Sequence, residues 1–176
     1  FVGKSFASFL RKNDKRKVVV SCDARKSSPT LKENLINGLI ESGIDVIEIE
    51  VGPTPMLYFS IYELNCDAGI MVTGSHNPKN HNGFKIGLKE RPFYGDDIKN
   101  LAKISANGDF VSGQGQHTHQ KVEDEYVEKL YRDCILSYHN SELLDEIDDV
   151  EENINFKIAW DAGNGAAGKV MKRISE

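Results

Sequence analysis

Cysteine is scarce in this sequence. Cys22, Cys66 and Cys134 are scattered, odd in number and without metal-ligand spacing. That excludes a disulfide scaffold and predicts reduced thiols in a cytoplasmic chain. With 15 glycines and 5 prolines in 176 residues, the composition is neither collagen-like nor that of a disordered chain. No apolar run approaches the ~20 residues that a membrane span needs, and no signal-peptide pattern opens the chain, so no membrane partner is expected. Positive charge is not in excess: 22 Lys and Arg stand against 27 Asp and Glu, a formal net charge of −5. No general nucleic-acid surface is expected on that balance. What is present, 39% hydrophobic and 28% charged residues, suits one globular domain or one domain plus part of a second.

Strand and helix signals alternate along the chain. Lys17 to Ser21 holds the β-branched run Val18-Val19-Val20, as a buried strand requires. Ser28 and Pro29 predict a helix start, with Ser28 as N-cap, and Leu31, Leu35 and Leu39 form an apolar stripe ahead of Gly43 as the stop. Asp45 to Val51 alternates as a second strand, Thr54-Pro55 opens a helix to about Leu64, and Gly69 to Val72 is a third strand. A polar loop from Thr73 to Asn82 precedes a strand over Gly83 to Leu88. Further helices are predicted from Asp96 or Asp97 and over Val122 to Leu136. Lys157 to Trp160 reads as a fresh strand leading through Gly163 to Gly168 into a helix. This alternation predicts an α/β layered domain with a largely parallel sheet.

Charge is uneven along the chain. Phe1 to Val20 carries six basic residues and one acid, read as solvated helix-end lysines. Ser141 to Asn153 carries seven acids and no base, with Leu143, Ile147 and Val150 at helical spacing. That stretch predicts a short amphipathic connector beside a domain boundary.

The chemistry concentrates between Gly69 and Lys85. Ser75 sits on a loop at the carboxyl end of a buried strand, where α/β folds bind ligands. Gly74 permits a close backbone approach, and Asn77-Pro78 and Asn82-Gly83 are turn dipeptides at the two ends of the loop. Such a serine could attack a phosphoryl group while exposed N–H groups hold the oxyanions, with His76 and Lys85 as donor and proton carrier. A polar surface turn with exposed His76 and His81 fits the same spacing, and spacing alone leaves both readings open.

Val72-Thr-Gly-Ser-His-Asn-Pro78 followed by Asn82-Gly-Phe-Lys85 resembles the phosphoserine loop of the α-D-phosphohexomutase superfamily. Three further segments resemble family pieces in the expected order: Ser21-Cys-Asp-Ala-Arg25 to Pro29, Gly52-Pro-Thr-Pro-Met56, and Trp160-Asp-Ala-Gly-Asn164 to Gly168. Gly before the serine and Phe-Lys after the glycine look most like the bacterial phosphomannomutase/phosphoglucomutase branch. Phosphoglucosamine mutase is the alternative, and a non-catalytic sugar-phosphate-binding or interaction module is a third.

The resemblance implies a three-layer α/β/α domain with a mixed, largely parallel sheet, plus the first strand and helix of a second similar domain. Domain one would span 1–140 without its first strand, the acidic connector 141–155, and the start of domain two 156–176. The implied reaction interconverts hexose 1-phosphate and hexose 6-phosphate through a phosphoserine and a 1,6-bisphosphate. Ser75 would carry the phosphoryl group and ligate Mg²⁺, whose other ligands come from an Asp-Gly-Asp-Gly-Asp loop of domain two. Lys85 would shuttle the sugar-hydroxyl proton, at the cost that a free lysine with pKa near 10.4 is a poor base at neutral pH. His76 would join them as a catalytic residue, and Thr73, Gly74, Asn77 and Arg25 would support the loop or substrate. Arg25 is expected in a supporting role, and Asp23 as a turn-former. Glucose 1,6-bisphosphate is the expected activator and a hexose phosphate the expected substrate.

Departures from the family pattern complete the expectation. The Asp-Ile-Arg-Gly segment, the aspartate loop, the sugar-reading loop and the phosphate clamp are not among these residues. An N-terminal part of a mutase is therefore expected, inactive alone and prone to self-association through exposed apolar surface. Two other signals are set aside. Gly163-Asn-Gly-Ala-Ala-Gly168 is a literal G-x-G-x-x-G after a strand, but Asp161 and Asn164 fit the mutase segment better. His117-Thr-His119 offers two imidazoles without a third ligand and reads as exposed loop.

Overall fold

A computed structural model describes residues 1–139, 157 and 159–175. The element order is α1 (Val2–Arg11), β1 (Lys17–Cys22), α2 (Ser28–Ile40), β2 (Asp45–Ile49), α3 (Thr54–Glu63), β3 (Ala68–Val72), β4 (Phe84–Leu88), α4 (Asp96–Asn107), β5 (His117–Gln120), α5 (Glu123–His139) and α6 (Gly168–Ile174). The five strands form one sheet in the order β4-β3-β1-β2-β5. All neighbours are parallel except β3 and β4, an antiparallel pair in which Met71 faces Lys85.

Each strand of the centre is apolar on both faces because both faces are covered. Val18, Val20 and Cys22 of β1 point with Val46, Ile70 and Val72 toward α1, α2 and α4, where Phe6, Leu10, Leu35 and Leu39 complete one core. Val19, Ile47, Ile49 and Met71 point the other way, toward Met56, Leu57 and Ile61 of α3 and Tyr126 and Val127 of α5. The result is the three-layer α/β/α arrangement with a mixed sheet. No helix among the described residues is long and apolar enough to cross a membrane.

The layer of α1 and α2 is held at unusually short range. A Cβ on Gly3 would stand 2.5 Å from the Leu35 carbonyl oxygen and 3.1 Å from the Leu39 nitrogen, so only glycine lets the two helix backbones meet there. Phe6 and Phe9 then meet Phe93 edge-on, with ring centroids 5.4 and 5.3 Å apart. The basic start of the chain is absorbed by pairing. Lys4 meets Glu41, Lys15 meets Glu90, and the Lys17 ammonium donates to the Leu64 carbonyl at 2.7 Å.

Several sequence expectations need correction. Ser27, not Ser28, stands at the N-cap of α2; Ser28 is already helical and turns its hydroxyl to Asp23. β2 ends at Ile49, and Val51 is exposed rather than on the strand's buried face. His117 to Gln120 is an edge strand and not a loop, since it pairs with β2 from Val46 to Ile49. Within Lys157–Trp160 the described residues lie in no strand; among the described residues no strand pairs with them, and a strand needs that ladder. The acidic connector over 141–155 lies outside the described residues.

Replacing Gly3 with alanine should push α1 off α2 and destabilise the domain by about 1–3 kcal/mol, as other overpacking changes do. Urea denaturation of the two forms would check this. An unchanged midpoint would mean the helices part at no cost.

Candidate active site

The strand order sets the position of the site. From β1 the chain moves to β2 on one side and returns to β3 on the other, so the crevice between β1 and β3 is a topological switch point. The loops leaving these two strands at their carboxyl ends are Asp23–Ser27 and Thr73–Asn82. They border a cleft of about 1070 Å³ that Gly52 to Thr54 and Asn164 to Ala167 also line.

Asp23 and Arg25 join the two loops. The Asp23 carboxylate accepts hydrogen bonds from the Arg25 N–H (3.0 Å), Arg25 Nε (3.1 Å), Ser28 Oγ (2.5 Å), Thr73 Oγ1 (2.8 Å) and the Gly74 N–H (3.3 Å). Burial alone would push this carboxyl up; the donors from Ser28, Arg25, Thr73 and Gly74 outweigh it and hold the value below its ordinary 3.8. Arg25 then spends its remaining donors on the serine loop. Nη1 donates to the carbonyls of Pro78 (2.8 Å) and His81 (3.1 Å), and Nη2 to those of Ser75 (3.0 Å) and Asn77 (2.8 Å). All five guanidinium N–H groups are used within the protein.

Around that clamp the loop has little freedom. Gly74 is buried, and a Cβ there would stand 2.5 Å from both Arg25 Cζ and the His81 oxygen. Thr73 is 8% exposed, and its Oγ1 accepts the Ser75 N–H at 2.9 Å. Asn82 closes the far end, donating from Nδ2 to Ser27 and Ser28 at 2.9 Å. The product of these contacts is a strained serine. Ser75 holds φ at +50°, in the left-handed region that non-glycine residues avoid. Its side chain is exposed, and its Oγ lies 3.2 Å from His76 Nδ1.

A family profile described as phosphoglucomutase/phosphomannomutase, alpha/beta/alpha domain I, matches residues 1–112. The chain belongs to the phosphoglucomutase/phosphomannomutase family. It is 34% identical to a phosphomannomutase of Vibrio cholerae over 99% of its own length and 36% of the relative's. It is 33% identical to a probable phosphoglucosamine mutase of Pyrococcus horikoshii, over 96% of this chain and 34% of that one. A family crystal structure from Burkholderia thailandensis superposes with a TM-score of 0.78 at 32% identity, covering 98% of this chain and 36% of the other. The chain thus spans about a third of the length of the curated relatives it matches.

The remaining site residues divide between two surfaces. Thr73, Gly74, Ser75, His76 and Asn77 lie together on the clamped loop. Lys85 is on β4, half-buried, and lines a second groove with Tyr58 and Ile61 of α3. Among the described residues its ammonium has no hydrogen-bonding or ion-pair partner. Lys26 and Lys79, which the motif reading passed over, both line the cleft that holds Ser75. Asn164 to Ala167 approach the same cleft from a segment about 90 residues further along, a juxtaposition that local spacing does not reveal.

For Mg²⁺ the donor chemistry fits in part. Ser75 presents a hard oxygen into the cleft, as this cation prefers. Asp23, the only carboxylate lining the cleft among the described residues, has its oxygens committed to the clamp. Among the described residues the cleft therefore offers the ion the Ser75 hydroxyl and neutral oxygens, with no uncommitted carboxylate.

Two measurements follow from the clamp. Ser75→Gly should be more stable than Ser75→Ala by about 1 kcal/mol, because glycine adopts the left-handed conformation freely. Equal urea midpoints would show that the serine backbone is relaxed. Asp23→Asn should destabilise the domain by about 2 kcal/mol at neutral pH, having lost charge-assisted bonds. Because the folded value lies below 3.8, the carboxylate's contribution is complete above pH 3.8 and is lost as pH falls through the folded value. The gap between wild type and Asp23→Asn should therefore close in acid, and a gap that stays constant down to pH 2 would refute the assignment.

Proposed function

We propose that this chain is the phosphoserine-bearing part of a phosphohexomutase, an enzyme that moves a phosphoryl group between O1 and O6 of a hexose phosphate. The observation that carries the reading is the Ser75 hydroxyl, held out by a strained backbone over a cleft at the switch point of the sheet. Family membership, and relatives named phosphomannomutase/phosphoglucomutase and phosphoglucosamine mutase, support this reading.

In the proposed reaction, Ser75 carries the phosphoryl group at rest. A free hydroxyl of the hexose monophosphate attacks that phosphorus; the new P–O bond forms as the P–Oγ bond breaks, giving the 1,6-bisphosphate. The proton of the attacking hydroxyl leaves to a base, the role proposed for Lys85 once its long side chain turns from the neighbouring groove toward the cleft. The bisphosphate turns over in the cleft, and Ser75 Oγ attacks its other phosphorus, regenerating phosphoserine and releasing the isomer. His76 Nδ1 is the nearest group able to exchange a proton with Ser75 Oγ. Thr73, Gly74 and Asn77 shape the loop and Arg25 positions it. Lys26 and Lys79, unpaired among the described residues, supply the cations that phosphate in the cleft would meet. Mg²⁺, when bound through Ser75, would supply charge stabilisation to the phosphoryl oxygens. Residues 1–140 serve as domain one in this proposal and 156–176 as the opening of domain two.

Grafting residues 1–176 in place of the matching segment of the Vibrio cholerae phosphomannomutase should give a chimera with mutase turnover. Incubation with labelled glucose 1,6-bisphosphate should place one phosphoryl group on Ser75. Ser75→Ala should lose both the label and more than about 10³-fold in turnover. A label that maps elsewhere, or turnover that survives Ser75→Ala, would sink the proposal. The 176-residue chain alone should show no turnover in a coupled assay.

A further inference from the structure

A second cluster of chemistry-bearing side chains lies across the sheet from Ser75, on the edge strand β5. His117 and His119 are two residues apart, so both rings stand on the same face of the strand. The parallel register sets His117 beside Val46 and His119 beside Glu48, which places Glu48 on that face as well. This is the face that packs against α2, and Lys32 of α2 reaches down to pair with Glu48 Oε1 at 2.5 Å. Glu48 Oε2 remains, 2.9 Å from His117 Nε2 and 3.6 Å from His119 Nδ1. The two rings are 4.7 Å apart and tilted by 43°, and one ligand atom from each of the three residues lies within 4.8 Å of the others.

The two separations from Glu48 Oε2 match a small coordination sphere, and the two imidazoles lie close enough to draw in around an ion. Nitrogen and oxygen ligands at about 2.0–2.1 Å from a tetrahedral ion stand roughly 3.3 Å from one another. The two contacts of Glu48 Oε2 bracket that value. Two imidazoles and one carboxylate are a recurrent donor set for borderline ions, whereas Mg²⁺ favours oxygen ligands alone.

The scaffold holds the three donors in register. β5 is tied at its start, where the Gln116 N–H donates to Asp45 Oδ1 and the Gln116 carbonyl accepts from the Val46 N–H, both at 2.8 Å. Past its end, Glu50 accepts from the Val122 and Glu123 N–H groups at 3.0 and 3.1 Å. Lys32 fixes Glu48 from the helix side. Both histidines are open enough for an ion to arrive, with side chains 33% and 73% exposed, while Glu48 is 16% exposed. A donor set on strands, with a fixed half-buried carboxylate, is better preorganised than one on a loop.

We propose that Glu48, His117 and His119 form a binding site for a zinc-class divalent ion, distinct from the Ser75 cleft. The site holds the ion through two imidazole nitrogens and one carboxylate oxygen, and a water completes the fourth position. It is structural in consequence: it clips the edge strand β5 to β2 through side chains on the face that meets α2. Lys32 opposes the ion's charge, which keeps the site weaker than a closed four-ligand site. The proposal stands apart from the mutase reading and does not depend on it.

The test is calorimetric titration of the untagged chain with Zn²⁺, repeated with a large excess of Mg²⁺. The expected result is saturable one-to-one uptake that Mg²⁺ does not displace. Affinity should fall about 100-fold or more in His117→Ala and His119→Ala, beyond what changes outside the ligand sphere usually cause. Because both rings are exposed, these variants should keep the wild-type circular dichroism spectrum. Co²⁺ in place of Zn²⁺ should give visible ligand-field bands without a thiolate charge-transfer band. No saturable uptake, full uptake by the His117→Ala/His119→Ala double variant, displacement by Mg²⁺, or a thiolate band pointing to the cysteines would each overturn the proposal.

Discussion

The Asp23–Arg25 pair is the constraint on which the geometry of the serine loop depends. Its members leave the same strand end, yet between them they contact Ser28 on α2 and Thr73, Gly74, Ser75, Asn77, Pro78 and His81 on the loop after β3. An isolated buried carboxylate beside an isolated guanidinium would be a weak source of stability, because desolvation offsets most of the attraction. Here nearly every lone pair and every N–H is also satisfied by backbone or hydroxyl groups, and the pair gains specificity from that completeness. The fixed carbonyls of residues 75, 77, 78 and 81 leave the loop one conformation, and that conformation includes a left-handed serine.

The sheet explains why the clamp can exist at all. β1 is the central strand, with β3 on one side and β2 on the other, so the loops after β1 and β3 emerge side by side. Both strands are buried on both faces, and Val18, Val19 and Val20 are fully covered. Their ends are therefore held in register, and a side chain on one loop can address four groups on the other without bending the fold. A surface loop between mobile elements could hold the same residues and none of this geometry.

Much of this was legible in the sequence where periodicity reports burial. Val18-Val19-Val20 and Gly69 to Val72 read as buried strands because continuous apolar runs bounded by polar loops have few other uses. The serine loop was legible as a motif, and a strand after it was expected over Gly83 to Leu88, though its antiparallel direction came only from the ladder with β3. Three features were not legible, each for a physical reason. Ser28 looked like an N-cap because capping hydroxyls and carboxylate donors are the same residue types, and only the position of Asp23 decides between them. β5, His-Thr-His-Gln, carries no apolar residue, so an edge strand exposed along its length has no hydrophobic period to detect. The reach of Arg25 to the loop crosses 50 or more residues, a separation at which local pattern carries no information.

The division of charge across the cleft completes the physical account. A phosphoryl group adds about −1.5 to −2 charge at neutral pH, and charge-assisted hydrogen bonds to it are strong. Arg25 is the residue whose planar fork best suits phosphate, yet its donors are committed to Asp23 and four carbonyls. The cations left to meet an anion are Lys26 and Lys79, point charges on flexible stems at the rim of the cleft. This arrangement separates two demands that conflict in a relay. A rigid bidentate contact to the phosphoryl group would hold it in one place and oppose its transfer, since stabilising the resting state raises the barrier. In the proposed relay, a clamped loop with lysines on long stems would instead fix the Ser75 oxygen and leave the departing group free to move. The strain at Ser75 points the same way. A backbone held in the left-handed region fixes the direction of the Ser75 Cα–Cβ bond independently of what the hydroxyl carries, so in the proposed relay loading and unloading the serine would not rearrange the loop.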